Sequence, residues 1–438
     1  MKKGFLRVIY EKKIQSLIWI IAGEVLLFLL ISGWQESVQK PVFAEKPDLL
    51  LPELYILSAN EYTDITREEY VSCKCTLTNT KRKYCFSIIN GQIKGRGNST
   101  WEEFNKKPYK IKFDRPQDLL GMGADRDWVL LSNPLDYTML RNEIGFGIAE
   151  ILDMEYTPKS QWCHLYWNDE YLGIYQLCEP VETGRNRVNI EADSTSNKNY
   201  VGYFLEIGGG VEGVNFEPVG REHDWGEYCN ITVLYPGEDI ITEAERENAY
   251  TYLQWVNSVI LNKDWAGINA LVDVDSFVNW YLTNEIMLNT DMGWSMFAYI
   301  PEDNKLHLGP VWDFDQSCGI STLSGSGVET WTPCPPLQNA WFETLMEMDE
   351  FRELLYVKWM ENKEEIALFL AMEQEKASYY QNDINANFER WDVLGELGGW
   401  RMTEDVAKLE TYEENTAYLF DWLQRRTDWM DSEIRNYK

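Results

Sequence analysis

Asp313 and Asp315 flank one apolar residue in the stretch Leu308-Gly309-Pro310-Val311-Trp312-Asp313-Phe314-Asp315-Gln316-Ser317-Cys318-Gly319. Residues i and i+2 of an extended segment face the same way. The spacing therefore predicts two converging carboxylates at a strand end, with Trp312 and Phe314 turned into packing. Carboxylates so placed repel one another unless a cation lies between them, and a donor set of oxygens alone suits Mg²⁺, Mn²⁺ or Ca²⁺ rather than zinc. Asn289-Thr290-Asp291 closes a predicted helix and supplies a third acid, a strand-sized connection upstream of Asp313. By itself a D-x-D pair reads equally well as a solvated strand end, so its weight depends on its company.

That company is a loop followed by a lysine-bearing strand. Gly95-Arg96-Gly97-Asn98-Ser99-Thr100-Trp101 is rich in glycine and hydroxyls, and Lys106-Lys107-Pro108-Tyr109-Lys110-Ile111-Lys112-Phe113 follows it. On a strand Tyr109, Ile111 and Phe113 share one face, and Lys110 and Lys112 share the other. Backbone N–H groups beside Gly97 can approach phosphate oxygens, and a lysine adds a point charge. The plainer reading is an edge strand protected by lysines and a turn that uses glycine as turns do. Together with the Asp-Phe-Asp element, the loop and strand complete the two halves of a metal-nucleotide site.

The elements that must position these residues follow from periodicity. A strand is predicted at 54–57, a hairpin over 87–95 turning at Asn90-Gly91, and a strand at 127–133. Asp136 is placed as the cap of a helix over 137–152 whose buried stripe is Leu140, Ile144, Ile148 and Ile151, with Glu143 and Glu150 on its flanks. A second hairpin joins 162–167 to 171–177 through Asn168-Asp169-Glu170, and Glu179-Pro180 ends it. Strands and turns alternate over 186–234, around a glycine-rich insert at Gly208-Gly209-Gly210. Thr242-Glu243-Ala244-Glu245 is a capping box opening a helix to Leu261, and a further helix over 276–288 runs into Asn289. Beyond a Ser/Gly-rich loop at 321–327 the chain reads as helical from Trp341 onward.

At 438 residues the chain is long enough for two lobes with real cores. Forty basic against 71 acidic residues leave a formal charge of −31, which excludes a general nucleic-acid surface. With three histidines and no paired CxxC, a zinc site is excluded as well. Of eight cysteines, Cys73, Cys75 and Cys85 cluster where bridges could form, and the scattered remainder read as small buried hydrophobes. Lys2, Lys3, Arg7, Lys12 and Lys13 precede the apolar run 17–31, which predicts a membrane span with the N-terminus in the cytoplasm and the rest outside. A cleaved signal ending at Val42-Phe43-Ala44 is the rival reading, and it too exports the globular part.

Several of these motifs together resemble the CotH family of spore-coat kinases. They are Arg96-Gly97-Asn98-Ser99, Lys106 to Lys112, Leu140-Arg141-Asn142, Gly173-Ile174-Tyr175 with Glu179, Asn186-Arg187-Val188, Asn289 with Asp291, and Gly309 to Asp315, in that order along most of residues 50–320. The resemblance implies an α+β, bilobal, atypical protein-kinase-like fold. It would comprise a basic tail (1–15), a transmembrane helix (16–34), a linker (35–50), a β-rich N-lobe (51–180) and a mainly helical C-lobe (181–438). It implies transfer of the γ-phosphate of ATP to Ser or Thr of protein substrates with Mg²⁺ or Mn²⁺. Carried onto this chain, Asp313 and Asp315 hold the metal, and Asp291 is the catalytic-loop carboxylate that orients or deprotonates the substrate hydroxyl. Lys110 or Lys112 holds the phosphates, Arg96 and Ser99 line the phosphate loop, Glu143 partners the lysine, and Glu179 lies in the hinge. The expected location is membrane-anchored and extracytoplasmic, or secreted if the leader is cleaved. Two departures stand out: no Asn follows Asp291, where Met292-Gly293-Trp294-Ser295-Met296 leaves Ser295 as a weaker ligand, and the phosphate loop has only two glycines. The alternatives are a catalytically weak or inactive kinase-fold coat scaffold and a Trp-rich carbohydrate-binding surface protein.

Overall fold

The computed structural model describes residues 49–58, 65–190, 202–208, 230–237, 241–323, 327–332, 336–399 and 402–438. Seven strands, Glu53–Ser58 (β1), Val71–Thr78 (β2), Phe86–Gly95 (β3), Tyr109–Asp118 (β4), Ala124–Leu131 (β5), Ser160–Trp167 (β6) and Glu170–Cys178 (β7), close into a barrel in the order β1-β2-β3-β4-β5-β7-β6. Closure is made by β1 running parallel to β6, and every other pairing is antiparallel. The period of two decides the barrel interior. Leu54 and Ile56, Cys73, Cys75 and Leu77, Ile111 and Phe113, and Trp128 and Leu130 all point inward and are buried. Each Leu, Ile or Phe among them contributes roughly 1.5–3 kcal/mol by leaving water. All six described cysteines are free, and five of them are buried.

Asn90-Gly91 is not a turn. β3 runs straight through it, with Gly91 opposite Phe113 of β4, and a Cβ at Gly91 would lie 2.9 Å from the carbonyl oxygen of Lys112. The glycine is there because two backbones approach closely, a second use of strand glycine that local sequence does not separate from the first. The connection from β2 to β3 falls instead at residues 79–85.

Beyond the barrel, Tyr203–Gly208 (β8), Asn230–Tyr235 (β9), Ser295–Ile300 (β10) and His307–Leu308 (β11) form a sheet in the order β11-β10-β8-β9. Around it lie ten helices among the described residues: Ser99–Glu103 (α1), Arg141–Ile151 (α2), Glu243–Leu261 (α3), Trp265–Leu271 (α4), Val274–Met287 (α5), Pro336–Met346 (α6), Asp349–Tyr379 (α7), Gln381–Arg390 (α8), Glu404–Ala407 (α9) and Tyr412–Ile434 (α10). The capping box at Thr242 and Glu245 opens α3 as its sequence predicts. The helix predicted from residue 137 starts later. Both oxygens of Asp136 are taken up by the turn that follows it, Oδ1 by the Thr138 N–H and hydroxyl and Oδ2 by the Arg141 N–H, so α2 begins at Arg141.

The expected fold class needs correction on two points. The chain is α+β, but its β-rich part is a closed seven-stranded barrel rather than a separate lobe. One continuous core joins Val129 and Leu131 of β5 and Trp162 of β6 to α2, the second sheet and the long helices. Among the described residues no helix is long and apolar enough to cross a membrane. The expected span at 16–34, its basic tail and most of the linker lie outside the described residues, as does the insert around Gly209-Gly210. Nothing in the described residues supports the expected membrane-anchored, extracytoplasmic placement.

Helix α8 fastens the barrel from outside. Asp383 Oδ1 accepts from Leu50 N and Leu51 N at 2.9 Å and lies 2.8 Å from His164 Nε2. Asn387 Oδ1 accepts from Ile174 N and from Lys106 Nζ, both at 3.0 Å. Lys106, also bonded to the Ile174 carbonyl at 2.7 Å, is buried with no carboxylate partner among the described residues, and burial pushes its ammonium down to about 7.

Candidate active site

Three separate segments bring their acids to one cleft of about 400 Å³ between the barrel and the second sheet. Asp291 arrives at the end of α5. Leu288 takes a left-handed conformation (φ 46°) that stops the helix, and Asn289 then folds a short turn in which its Oδ1 accepts from Asp291 N at 3.1 Å. Asn289 is itself held, its Nδ2 donating to Asn284 Oδ1 at 3.0 Å. The small side chain, the left-handed turn and the amide lock together present Asp291 to the cleft.

Asp313 and Asp315 arrive differently from the expected strand end. β11 stops at Leu308, and the residues from Gly309 to Phe314 form an irregular loop in which Asp313 is left-handed (φ 66°). Phe314 turns inward, fully buried against Phe146 of α2, as the alternation predicts, but Trp312 stays at the cleft wall and stacks on Phe146 at 5.8 Å. Four bonds pin the loop from behind. Phe314 N donates to Asn142 Oδ1 at 2.8 Å, Arg141 Nε to the Ser317 carbonyl at 3.0 Å, Ser317 Oγ to the Phe314 carbonyl at 2.6 Å, and Cys318 N to the Met287 carbonyl at 2.7 Å. Helix α2 is thus the splint of the Asp-Phe-Asp loop. It comes close because residue 145 is glycine, and a Cβ there would enter the Phe314 ring. Gly145→Ala is expected to cost about 1–3 kcal/mol through this overpacking. Chemical denaturation measures it, and an unchanged midpoint would mean the ring relaxes freely.

Charge in the cleft is unbalanced. Burial holds the Asp313 carboxyl above its ordinary range, opposed by the guanidinium of Arg96. Asp315 is raised further, first by burial and then by the negative charges of Asp313 and Asp291. Glu206 of β8 is a fourth carboxylate on the lining, and burial raises it too. The facing cation is Arg96, 5.7 Å from the Trp312 ring centroid, and Ser99 lines the same wall. Ser295 Oγ lies 3.5 Å from Asp313 Oδ2, within reach of the same ligand. Gly97 (φ 85°) allows the loop between Arg96 and Ser99 to turn, and a Cβ there would strike the Thr100 hydroxyl. An all-oxygen donor set in which the charges of Asp313 and Asp291 raise Asp315 fits a hard divalent cation.

The remaining predicted site residues lie elsewhere. Lys110 and Lys112 do share a face, but it is the outer face of the barrel. Lys110 Nζ pairs with Glu182 at 3.2 Å and Asp127 at 3.4 Å, and Lys112 Nζ is 4.0 Å from Asp127. Glu143 is paired with Lys376 of α7 rather than with either of them, in a second cavity that it shares with Glu373. Glu179 is buried at the end of the barrel and accepts from Lys159 N at 3.0 Å. Sequence reasoning passed over Asn142, Asn133, Glu206 and Gln316. Of these only Asn142 carried a signal, its place in Leu140-Arg141-Asn142.

A β-barrel joined to a helical body, with an acidic cleft fed by three loops, defines the class of molecule. Residues 93–430 match the family described as CotH kinase protein, and with more than half of its length matched the chain belongs to the CotH family. No curated protein matches it.

Proposed function

We propose that the protein transfers the γ-phosphoryl group of ATP to a Ser or Thr hydroxyl of a protein substrate, with Mg²⁺ or Mn²⁺. The observation that carries this reading is the convergence of Asp291, Asp313 and Asp315 opposite Arg96 in one cleft of a CotH chain. Asp313 and Asp315 would hold the cation, with Ser295 beside them. When bound, such a cation neutralises charge on the phosphates and orients them. Arg96 supplies the phosphate contact that the lysines were expected to make, and its planar fork suits phosphate oxygens. Ser99 and the backbone around Gly97 complete that wall. Asp291 accepts the proton of the attacking hydroxyl as the new P–O bond forms and the bond from γ-phosphorus to the bridging oxygen breaks, leaving ADP.

A second reading has an observation in its favour. Among the described residues no lysine lines the cleft, which suits a catalytically weak or inactive coat scaffold. Incubation of the full chain with labelled ATP and Mn²⁺ separates the two. The kinase reading expects incorporated label that disappears with chelator. It also expects a decline on acidification while an ordinary aspartate is still ionised, because Asp315 takes up protons early and protons compete with the metal. A folded protein that neither incorporates label nor shows a thermal shift with Mn²⁺ and ATP would establish the scaffold.

A further inference from the structure

Gln316 is buried, 8% exposed, on the cleft wall directly after Asp315. Its Nε2 donates to Asp291 Oδ2 at 2.5 Å. A carboxylate accepts, so the amide cannot be the other way round. That leaves Oε1 on the opposite side of the amide, sealed from water and without a donor among the described residues. An orphaned amide oxygen inside a protein is rare and unfavourable. The four carboxylates that line the same cleft, Asp291, Asp313, Asp315 and Glu206, are acceptors when ionised, so in that state none of them can satisfy it. The segment from Met292 to Met296, meanwhile, contains no amide side chain, and Met292 and, on β10, Met296 are buried in the core.

The two facts answer each other. We propose that Gln316 is a ligand of the divalent cation in this cleft, its side-chain amide oxygen completing the carboxylates of Asp313 and Asp315 while its nitrogen holds Asp291. The inference rests on the metal-nucleotide reading of the cleft. One residue then links the cation to the acid that receives the substrate proton, with one amide face turned to each. Hard cations take amide oxygens together with carboxylates, so the chemistry needs nothing beyond Mg²⁺ or Mn²⁺.

The test is a Mn²⁺ titration of the full chain with ATP present, read by electron paramagnetic resonance for affinity and by water-proton relaxation for the number of waters on the bound ion. Gln316→Met is expected to weaken Mn²⁺ by about 10–100-fold and to add one water to the ion where the amide oxygen was. Gln316→Glu, which keeps an oxygen in place, is expected to retain the parent's hydration number. It decides the matter if the Met variant does not fold, since an extra water in the Glu variant overturns the assignment. Weaker binding in the Met variant with unchanged hydration would show that Gln316 does not touch the ion, and equal affinity with equal hydration would show no role; both overturn it. A parent chain that binds no Mn²⁺ with ATP overturns the metal-nucleotide reading itself, whereas normal parent binding beside an unaffected variant overturns only Gln316.

Discussion

Asp313→Ala is expected to abolish metal-dependent phosphate incorporation, by about 10³-fold or more, the scale of losing a principal charge-stabilising contact on a transferring phosphoryl group. The physical reason lies in the balance of the cleft. Asp313 is the acid that faces Arg96, and its left-handed backbone aims it away from the packing of Phe314. Without it, Arg96 loses its main countercharge, and the proposed cation site keeps Asp315, whose carboxyl burial and neighbouring charge hold well above the ordinary range. Affinity for Mn²⁺ and ATP should therefore collapse together with rate. Asp291→Ala makes the contrast. It should leave Mn²⁺–ATP binding close to the parent's and lower the rate of transfer by about 10²–10⁴-fold, the usual range for a positioned general base. Calorimetry beside radiolabel counting separates the two variants. Loss of rate with intact binding in Asp313→Ala would move the metal to other ligands.

The largest effect on stability is expected far from the cleft. Arg426 of α10 and Glu285 of α5 are both fully buried, with Arg426 Nη2 3.0 Å from Glu285 Oε2. Arg426 also donates Nε and Nη2 to the Glu285 carbonyl at 2.9 and 2.7 Å and Nη1 to the Val328 carbonyl at 2.7 Å. Glu285 accepts in addition from Thr332 N and Oγ1 at 3.0 Å. Burial raises the Glu285 carboxyl and lowers the Arg426 guanidinium, each opposed by the partner's charge, so desolvation outweighs attraction for both. Such a pair adds little over a well-packed apolar pair, but half of it is costly. Glu285→Ala is expected to destabilise by about 3–5 kcal/mol, because it leaves a guanidinium stranded in the core. The double variant Glu285→Met with Arg426→Met should recover much of that loss. Denaturant midpoints of the three variants test it, and additive losses would mean that the two residues act independently.

Sequence carried the type of most elements and the order of the site motifs, and it was weakest where tertiary closure assigns a face. The alternation at Tyr109 to Phe113 correctly put Lys110 and Lys112 together, but only the closed barrel determines that their side looks outward to Asp127 and Glu182. Asn90-Gly91 looks like a turn in any local window, and the carbonyl of Lys112 that makes the glycine necessary belongs to another strand. Asp313 and Asp315 both line the cleft, and they are carried there by a left-handed loop rather than an extended one. Glu143 could not be matched from sequence because its true partner, Lys376, is 233 residues away.

The clasp of α8 on the barrel bears on the order of events at the ribosome. Every strand of the barrel has been synthesised by Cys178, yet Lys106 must wait for Asn387, and the amides of Leu50 and Leu51 for Asp383, which lies 332 residues after Leu51. Until the last quarter of the chain emerges, the first-made part carries a buried ammonium and two backbone donors with no acceptor from α8. A nascent barrel is therefore held short of completion for most of translation, and this is the interval in which unpaired polar groups and open apolar edges call for chaperone cover.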